Sequence, residues 1–412
     1  MRILFLTNYY PPVRYGWGYM QLCEEVADGL SAKGHAIAVL TSAWRDGDEI
    51  ARPYPVHRLL SLDPDWHSGQ SAAWQFFTKH RKRERQAIAH LCRLTAEFRP
   101  DVIFVWQIEG LPRLLLREAE HLSDVAVAYY VADYMLEMSD EYIHFWQVRP
   151  VHWTAKLLKR PLTWLALHFL AGEGKPVSLK CENVICVSDY IRRRLVAKGL
   201  VPEGVVIHNG VDLARFSPNG YHAPSFVSDG LRCLIAGRVV PDKGIHTAID
   251  ALVALPTSGR RVSLTILGDG PTDYREYLQR KIIDHGLQDR VKFHSPVPRE
   301  QMPQVLAGYN TLILASEYAE PLARAMQEAM AMGLLVIGTT TGGSGELLIH
   351  ERTGLAFEPA SPESLAAQLA RVSNEPDLAA RLARAGQRVV VEQFNIQRTV
   401  EQIDSYLHSL SK

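Results

Sequence analysis

The chain has 412 residues, and 45 Lys and Arg balance 45 Asp and Glu, so the formal net charge is zero. Nothing global draws it to nucleic acid, and any electrostatic binding must come from local patches. Its 47% hydrophobic and 22% charged content are those of an ordinary soluble globular protein, with room for two or three domains.

The first apolar run, Ile3 to Leu6, is bounded by Pro11-Pro12, which predicts a buried parallel strand and then a loop. That loop holds Gly16-Trp17-Gly18. Leu22, Val26 and Leu30 recur at four-residue spacing, and Lys33-Gly34 closes the helix they predict. A strand at Ile37 to Leu40 completes a strand–helix–strand unit, the start of a doubly wound sheet. Further strands are predicted at Val102–Trp106, Val125–Val131 and Val184–Val187, with Ser188 capping a helix that ends at Lys198-Gly199. After residue 200 the pattern restarts, with strands at Leu231–Ala236, Val262–Leu267, Val291–Phe293, Thr311–Leu314 and Leu335–Gly338. The prediction is an α/β chain of two Rossmann-like domains, with a boundary near Val205–Pro218 and a surface loop over Asn219–Gly230. Ile396, Val400, Ile403, Leu407 and Leu410 form the stripe of an amphipathic terminal helix.

Cys23, Cys92, Cys181, Cys186 and Cys233 form no Cys-x-x-Cys pair, and several sit in apolar runs. They read as reduced core residues of a cytosolic protein rather than disulfides or a zinc site. The N-terminal apolar run is too short for a signal peptide, and no stretch approaches the ~20 residues of a membrane span. The chain therefore reads as cytoplasmic.

A Rossmann pattern does not by itself give function. Dehydrogenases carry G-x-G-x-x-G after the first strand, whereas Gln21 follows Gly16-Trp17-Gly18 here, which argues against an oxidoreductase. Four features of the second half carry chemistry. Gly237-Arg238-Val239-Val240-Pro241-Asp242-Lys243-Gly244 follows a strand, at the sheet end where ligands bind. A guanidinium fork and an ammonium there suit a diphosphate, although an isolated pair of this kind is more often part of a solvated loop. Glu320 and Glu328 form a Glu-x7-Glu spacing, with a helix predicted to begin just after Pro321. If every step were helical, the carboxylates would stand ~12 Å apart, and free N–H groups would face a phosphate. Thr339 to Glu346 is a glycine-rich segment that a ligand could approach closely. Gly268-Asp269-Gly270 is a lone Gly-x-Gly that by itself reads first as a turn.

With two further segments these stand in the order Asn209-Gly210-Val211-Asp212, Gly237-Arg238…Lys243-Gly244, Gly268-Asp269-Gly270, Glu320-Pro321…Glu328-Ala329-Met330-Ala331, Gly342-Gly343…Glu346 and Thr353-Gly354. The series resembles glycosyltransferase family 4, retaining enzymes of the GT-B fold, whose two Rossmann-like domains face a central cleft. The resemblance covers nearly the whole chain and is densest from Val206 to Phe357. It implies an acceptor-binding domain over 1–204, a donor-binding domain over 205–390, and a terminal helix, 391–412, packed back on the first. It implies that Arg238 and Lys243 bind the donor diphosphate, and that Glu328 holds the ribose. Glu320 would contact the transferred sugar near the backbone N–H groups of Leu322, Ala323 and Arg324. Gly16, Gly18 and Gly268 would line the donor, and Asp133 would be catalytic. The implied reaction moves a sugar from a nucleoside-diphosphate donor to a sugar, lipid or small-molecule acceptor, with no cofactor, no metal and no nucleic acid.

Three departures stand out. Glu320-Pro321-Leu322-Ala323 replaces the common Glu-Pro-Phe-Gly, and the N-terminal loop is Gly-Trp-Gly rather than Gly-Gly. Ala132-Asp133 stands where many members have His-Asp, leaving Tyr130 or Tyr134 as candidates for the histidine's role. A catalytically degenerate nucleotide-sugar-binding module and a nucleotide-sugar epimerase are the rival readings. Asp46-Gly47-Asp48 and Asp63-Pro64-Asp65 have the manganese spacing of another glycosyltransferase fold but read as turn residues. Phe76 to Arg85 and Trp153 to Phe169 are basic and aromatic. Such stretches allow weak peripheral contact with the inner membrane face, but the preferred reading is surface helices whose cations snorkel.

Overall fold

The structure, a computed structural model, describes residues 1–13, 18–138, 140–148, 153–221, 225–226, 230–255 and 261–410, without the side chains of 141 and 153–158. The chain divides into two units, Met1–Ile207 with Val400–Lys412, and His208–Thr399.

The first unit is built on β1 (Arg2–Leu6), β2 (Ala36–Ser42), β3 (Val56–Leu60), β4 (Val102–Val105), β5 (Ala126–Val131), β6 (Asn183–Cys186) and β7 (Val205–Val206). They form one parallel sheet in the order β3-β2-β1-β4-β5-β6-β7. The central strands read Arg-Ile-Leu-Phe-Leu and Val-Ile-Phe-Val because helices cover both faces, which leaves no polar side to alternate with. The second unit contains β8 (Leu231–Ala236), β9 (Val262–Leu267), β10 (Val291–His294), β11 (Thr311–Leu314), β12 (Leu335–Gly338) and β13 (Leu355–Ala356). Its parallel sheet runs β10-β9-β8-β11-β12-β13. In each sheet the direction of winding reverses beside the first strand, at β1/β4 and at β8/β11. The loops leaving such a strand pair diverge, and the carboxyl ends become a ligand crevice.

Every strand predicted from the sequence is present to within two residues at each end. The unpredicted strands are β3, which is half-exposed and disturbed by a register shift at Thr41/Ser42, and the two-residue β7 and β13. Ser188 is the predicted cap: its Oγ accepts from Ile191 N at 3.3 Å, and the helix Asp189–Ala197 follows. The terminal helix is Ile396–Leu410 and begins later than 391, because residues up to Gln393 end the preceding helix Pro376–Gln393. Its stripe buries Ile396, Val400, Ile403 and Leu407. Within Asn219–Gly230, residues 222–224 and 227–229 lie outside the described residues, and Phe226 is buried in the second unit's core. All five cysteines are free thiols, but Cys92 is exposed on the helix His80–Phe98 rather than in the core. Among the described residues, no helix is long and apolar enough to cross a membrane.

The loops at the carboxyl ends of β9, β8, β11 and β12 are knit together. Gly237 N donates to Leu267 O at 3.0 Å, Val239 N to Asp269 O at 2.8 Å, and Glu317 N to Asp242 O at 2.9 Å. Gly268 is essential to this. Its φ is +150°, and a Cβ there would lie 1.8 Å from Gly237 O. A rigid backbone cannot yield as a side chain would. Gly268→Ala is therefore expected to lower the unfolding free energy by about 3 kcal/mol, as read by urea titration. An unchanged midpoint would mean that the two loops do not meet this closely.

Candidate functional site

Lys243 and Glu320 come from the two strands that flank the second unit's reversal point. Lys243 ends a short 3-10 turn, Pro241–Lys243, in the loop after β8, and Glu320 lies in the loop after β11. Their side chains meet, with Nζ donating to Oε1 at 2.5 Å. Glu320 is only 5% exposed, so its charge must be answered locally. Ser316 Oγ also donates to Oε1 at 2.5 Å, and Tyr318 Oη donates to Oε2 at 2.6 Å. The Tyr318 ring centroid is 5.0 Å from Lys243 Nζ, so one side chain touches both charges.

The glycine-rich segment after β12 supports this arrangement from behind. Thr339 Oγ1 donates to Ser316 O at 2.7 Å, and Thr341 Oγ1 to Tyr318 O at 2.8 Å. Gly343 N donates to Glu320 O at 2.7 Å. Gly342 has φ +68°, and a Cβ there would lie 2.3 Å from Glu320 O. The close approach expected of this segment is thus to the backbone of Glu320.

Glu328 sits elsewhere in the constellation and has different partners. The helix carrying it is Arg324–Ala331, capped by Ala323, so it begins later than the sequence predicted. The interval from Glu320 to Arg324 is not helical, and the ~12 Å helical rise therefore does not apply. Glu328 is buried and accepts from Arg299 Nη1 at 2.8 Å, with Arg324 Nε at 3.9 Å one turn back. Leu322 and Ala323 are buried. Ala323 has φ −74° and ψ 112°, a backbone open to any residue, so alanine in place of the family's glycine brings no strain. Arg238 is exposed directly after β8.

In the first unit Asp133 follows β5 and accepts from Gln107 Nε2 at 2.5 Å and Met135 N at 2.8 Å. Burial pushes its pKa above the usual aspartate value, against the pull of those two donors. Tyr130 is buried, with its Oη donating to Ile207 O at 3.2 Å. Burial and a hydrogen bond with Tyr190 raise the pKa of Tyr134, and the Arg194 guanidinium lies 5.0 Å from its ring centroid. Both hydroxyls are thus engaged within their own unit. Gly18 opens the helix Gly18–Ala32, and Gly16 lies outside the described residues.

Asp63 is not the turn residue its sequence suggests. It is buried and accepts from Tyr142 Oη at 2.9 Å and His80 Nδ1 at 2.5 Å. Lys175 donates to His80 Nε2 at 2.7 Å, which leaves the Nδ1 proton for Asp63, and lies 2.8 Å from Glu84. Asp65 caps a 3-10 turn through His67 N at 3.0 Å. Both carboxylates of this Asp-x-Asp pair thus serve protein donors.

Two doubly wound parallel units with crevices at their strand ends define the GT-B fold class. Residues 21–215 match Glycosyltransferase Family 4, and residues 224–389 match Glycosyl transferases group 1. The chain is 25% identical over 258 residues to "Putative glycosyltransferase YtcC" of Bacillus subtilis, a match spanning 58% of this chain and 63% of that protein, less than two thirds of its length. It is 26% identical over 424 residues, 98% of each chain, to "GDP-mannose-dependent alpha-(1-6)-phosphatidylinositol monomannoside mannosyltransferase" of Mycobacterium tuberculosis. The crystal structure of Anabaena Alr3699/HepE in complex with UDP shares the fold, with a TM-score of 0.67 at 20% identity over 99% of this chain and 100% of that one. The chain belongs to the glycosyltransferases that join a family 4 unit to a group 1 unit.

The hydrogen-bond array makes a stability prediction. Tyr318→Phe keeps the ring but leaves Glu320 Oε2 without its donor, and should lower the unfolding free energy by about 1–2 kcal/mol. Lys243→Met removes the countercharge and should cost more, about 3 kcal/mol. Equal unfolding midpoints for both variants and the wild type would mean that Glu320 is solvated rather than held.

Proposed function

We propose that the chain is a retaining, hexosyltransferase-type enzyme that moves a sugar from a nucleoside-diphosphate donor to an acceptor hydroxyl without a metal ion. One observation carries the reading: the Lys243–Glu320 pair at the β8/β11 reversal point, with Arg238 exposed beside it in sequence, directly after β8. A cation bound to a carboxylate can exchange that partner for a phosphate, and the carboxylate is then released towards the sugar.

In this reading Arg238 and Lys243 take the diphosphate, and the first turn of Arg324–Ala331 adds backbone donors. The anomeric C–O bond breaks with its electron pair passing to the leaving phosphate oxygen. The acceptor hydroxyl bonds to the anomeric carbon on the same face and gives its proton to that leaving oxygen. The cationic groups stabilise the charge where it grows. Glu320 faces the carbon where positive charge develops. Glu328, oriented by Arg299, grips the ribose, while Gly268, Leu322 and Ala323 line the donor. Asp133 is the catalytic carboxylate of the first unit, and Gly16 and Gly18 line the donor. The GDP-mannose dependence of one relative and the UDP bound to a structural neighbour support nucleoside diphosphate as the donor class. The enzyme needs no cofactor beyond this substrate and works in the cytoplasm. The unstrained backbone at Ala323 favours an active enzyme over a degenerate module.

Kinetics separate the two glutamates. Removing a group that grips the ribose weakens ground and transition states alike, so Glu328→Ala should raise KM more than it lowers kcat. Glu320→Ala should chiefly lower kcat while nucleoside diphosphate still binds. Loss of nucleotide binding in Glu320→Ala, with Glu328→Ala intact, would reverse the donor's orientation. Activity should also survive EDTA, because side-chain cations take the place of a metal. Loss restored by manganese would refute that part.

A further inference from the structure

The first unit carries an apolar and cationic surface that the proposed chemistry does not use. The helix Trp153–Gly172 buries Ala166 and Leu170 against Phe76, Tyr142 and Trp146. A helix that spends one face on the core normally shows water a polar face. This one shows Leu162, Leu165 and Phe169, at spacings of three and four, and beside them Trp164, which is 70% exposed. Trp74 and Phe77, on the helix Ala72–Thr78 in the same cluster, are exposed as well. The two helices share a core cluster and have neighbours in common. The Arg81 guanidinium lies 5.5 Å from the Phe169 ring centroid, and Phe77 packs on Trp146 at 5.8 Å.

Cations predominate in the segments that carry this surface, with Glu173 beside them. Residues 72–83 contain Lys79, Arg81, Lys82 and Arg83, and residues 159–172 contain Lys159 and Arg160, with no Asp or Glu in either segment. This occurs in a chain whose net charge is zero. Some of these cations turn inward: Lys159 donates to Phe145 O at 2.5 Å, and Arg83 to Gln75 Oε1 at 2.6 Å. Arg81, Lys82 and Arg160 are exposed, and Arg81, beside Phe169, pairs with Glu173 yet keeps 60% of its side chain exposed.

We propose that this face, centred on Leu162, Trp164, Leu165, Phe169 and Phe77, docks the protein on a bilayer bearing anionic headgroups. The aromatic and leucine side chains enter the headgroup boundary, and Arg81, Lys82 and Arg160 meet the lipid phosphates. An apolar strip rimmed by cations matches that boundary in both respects. A protein partner of matching shape would have to supply a complementary acidic rim, which a second copy of this face lacks.

The test is flotation of the full chain with phosphatidylcholine vesicles, with and without phosphatidylglycerol. Binding should need the anionic lipid, weaken with salt, and be lost in the double variant Trp164→Ser, Phe169→Ser. Lys82→Glu with Arg160→Glu should lose anionic-lipid selectivity. Because the altered side chains are exposed, the thermal midpoint and nucleoside-diphosphate binding should stay unchanged. Absence of flotation, equal flotation with pure phosphatidylcholine, or undiminished flotation of the serine variant would each overturn the proposal. So would a lipid-free dimer in light scattering that the serine variant dissociates, which would assign the face to a second copy.

Discussion

A carboxylate almost out of water, Glu320, is the constraint around which the second unit is arranged. Such a charge is tolerated only where donors meet it. Lys243, Ser316 and Tyr318 do so from two different loops. Bringing an ammonium from the β8 loop to a carboxylate on the β11 loop requires backbones to approach within hydrogen-bond distance at several points. This closeness accounts for glycine at 268 and 342, where a Cβ would collide with a carbonyl. The threonines after β12 act on the same loop, since their hydroxyls fix the carbonyls of Ser316 and Tyr318. The sheet sets the place, and the loops adjust the chemistry.

The two units use one topology for different surroundings. In the second, the reversal point gathers opposite charges. In the first, the corresponding loops join through neutral groups: Asn8 N donates to Gln107 O and Asn8 Nδ2 to Glu109 O, both at 2.8 Å. Asp133 is held there by an amide and a backbone N–H. A diphosphate suits the second setting better than the first, because it needs positive charge. A neutral hydroxyl needs only orientation, which amides and a single carboxylate supply.

The fold was largely legible because buried parallel strands are runs of Val, Ile and Leu that stand out against their loops. Leu231–Ala236 and Val262–Leu267 needed no context. Two-residue strands such as β13 leave no pattern to read. For the site, residue types were legible and partnerships were not. The Glu-x7-Glu spacing carries no sign that the chain is non-helical up to Ala323, because Pro321 is as acceptable in the approach as in a first turn. Nothing near Arg299 marks it as the partner of Glu328, since the two are paired only by the packing of separate elements. Tyr318 stands two residues before Glu320, and a lone aromatic in a loop gives no sign that its hydroxyl is aimed at a carboxylate. Asp63 looks like a turn residue because it precedes proline, whereas its partners His80 and Tyr142, and the Lys175 that orients His80, are distant in sequence.

The central claim is that Lys243 leaves Glu320 for the donor's diphosphate, and it is tested most directly by a crystal structure with a nucleoside diphosphate bound. The account predicts phosphate oxygens within hydrogen-bond distance of Arg238 and Lys243, ribose hydroxyls at Glu328, and Glu320 facing the space beyond the terminal phosphate. A nucleotide bound away from the loop after β8, with the Lys243–Glu320 pair unbroken, would contradict it.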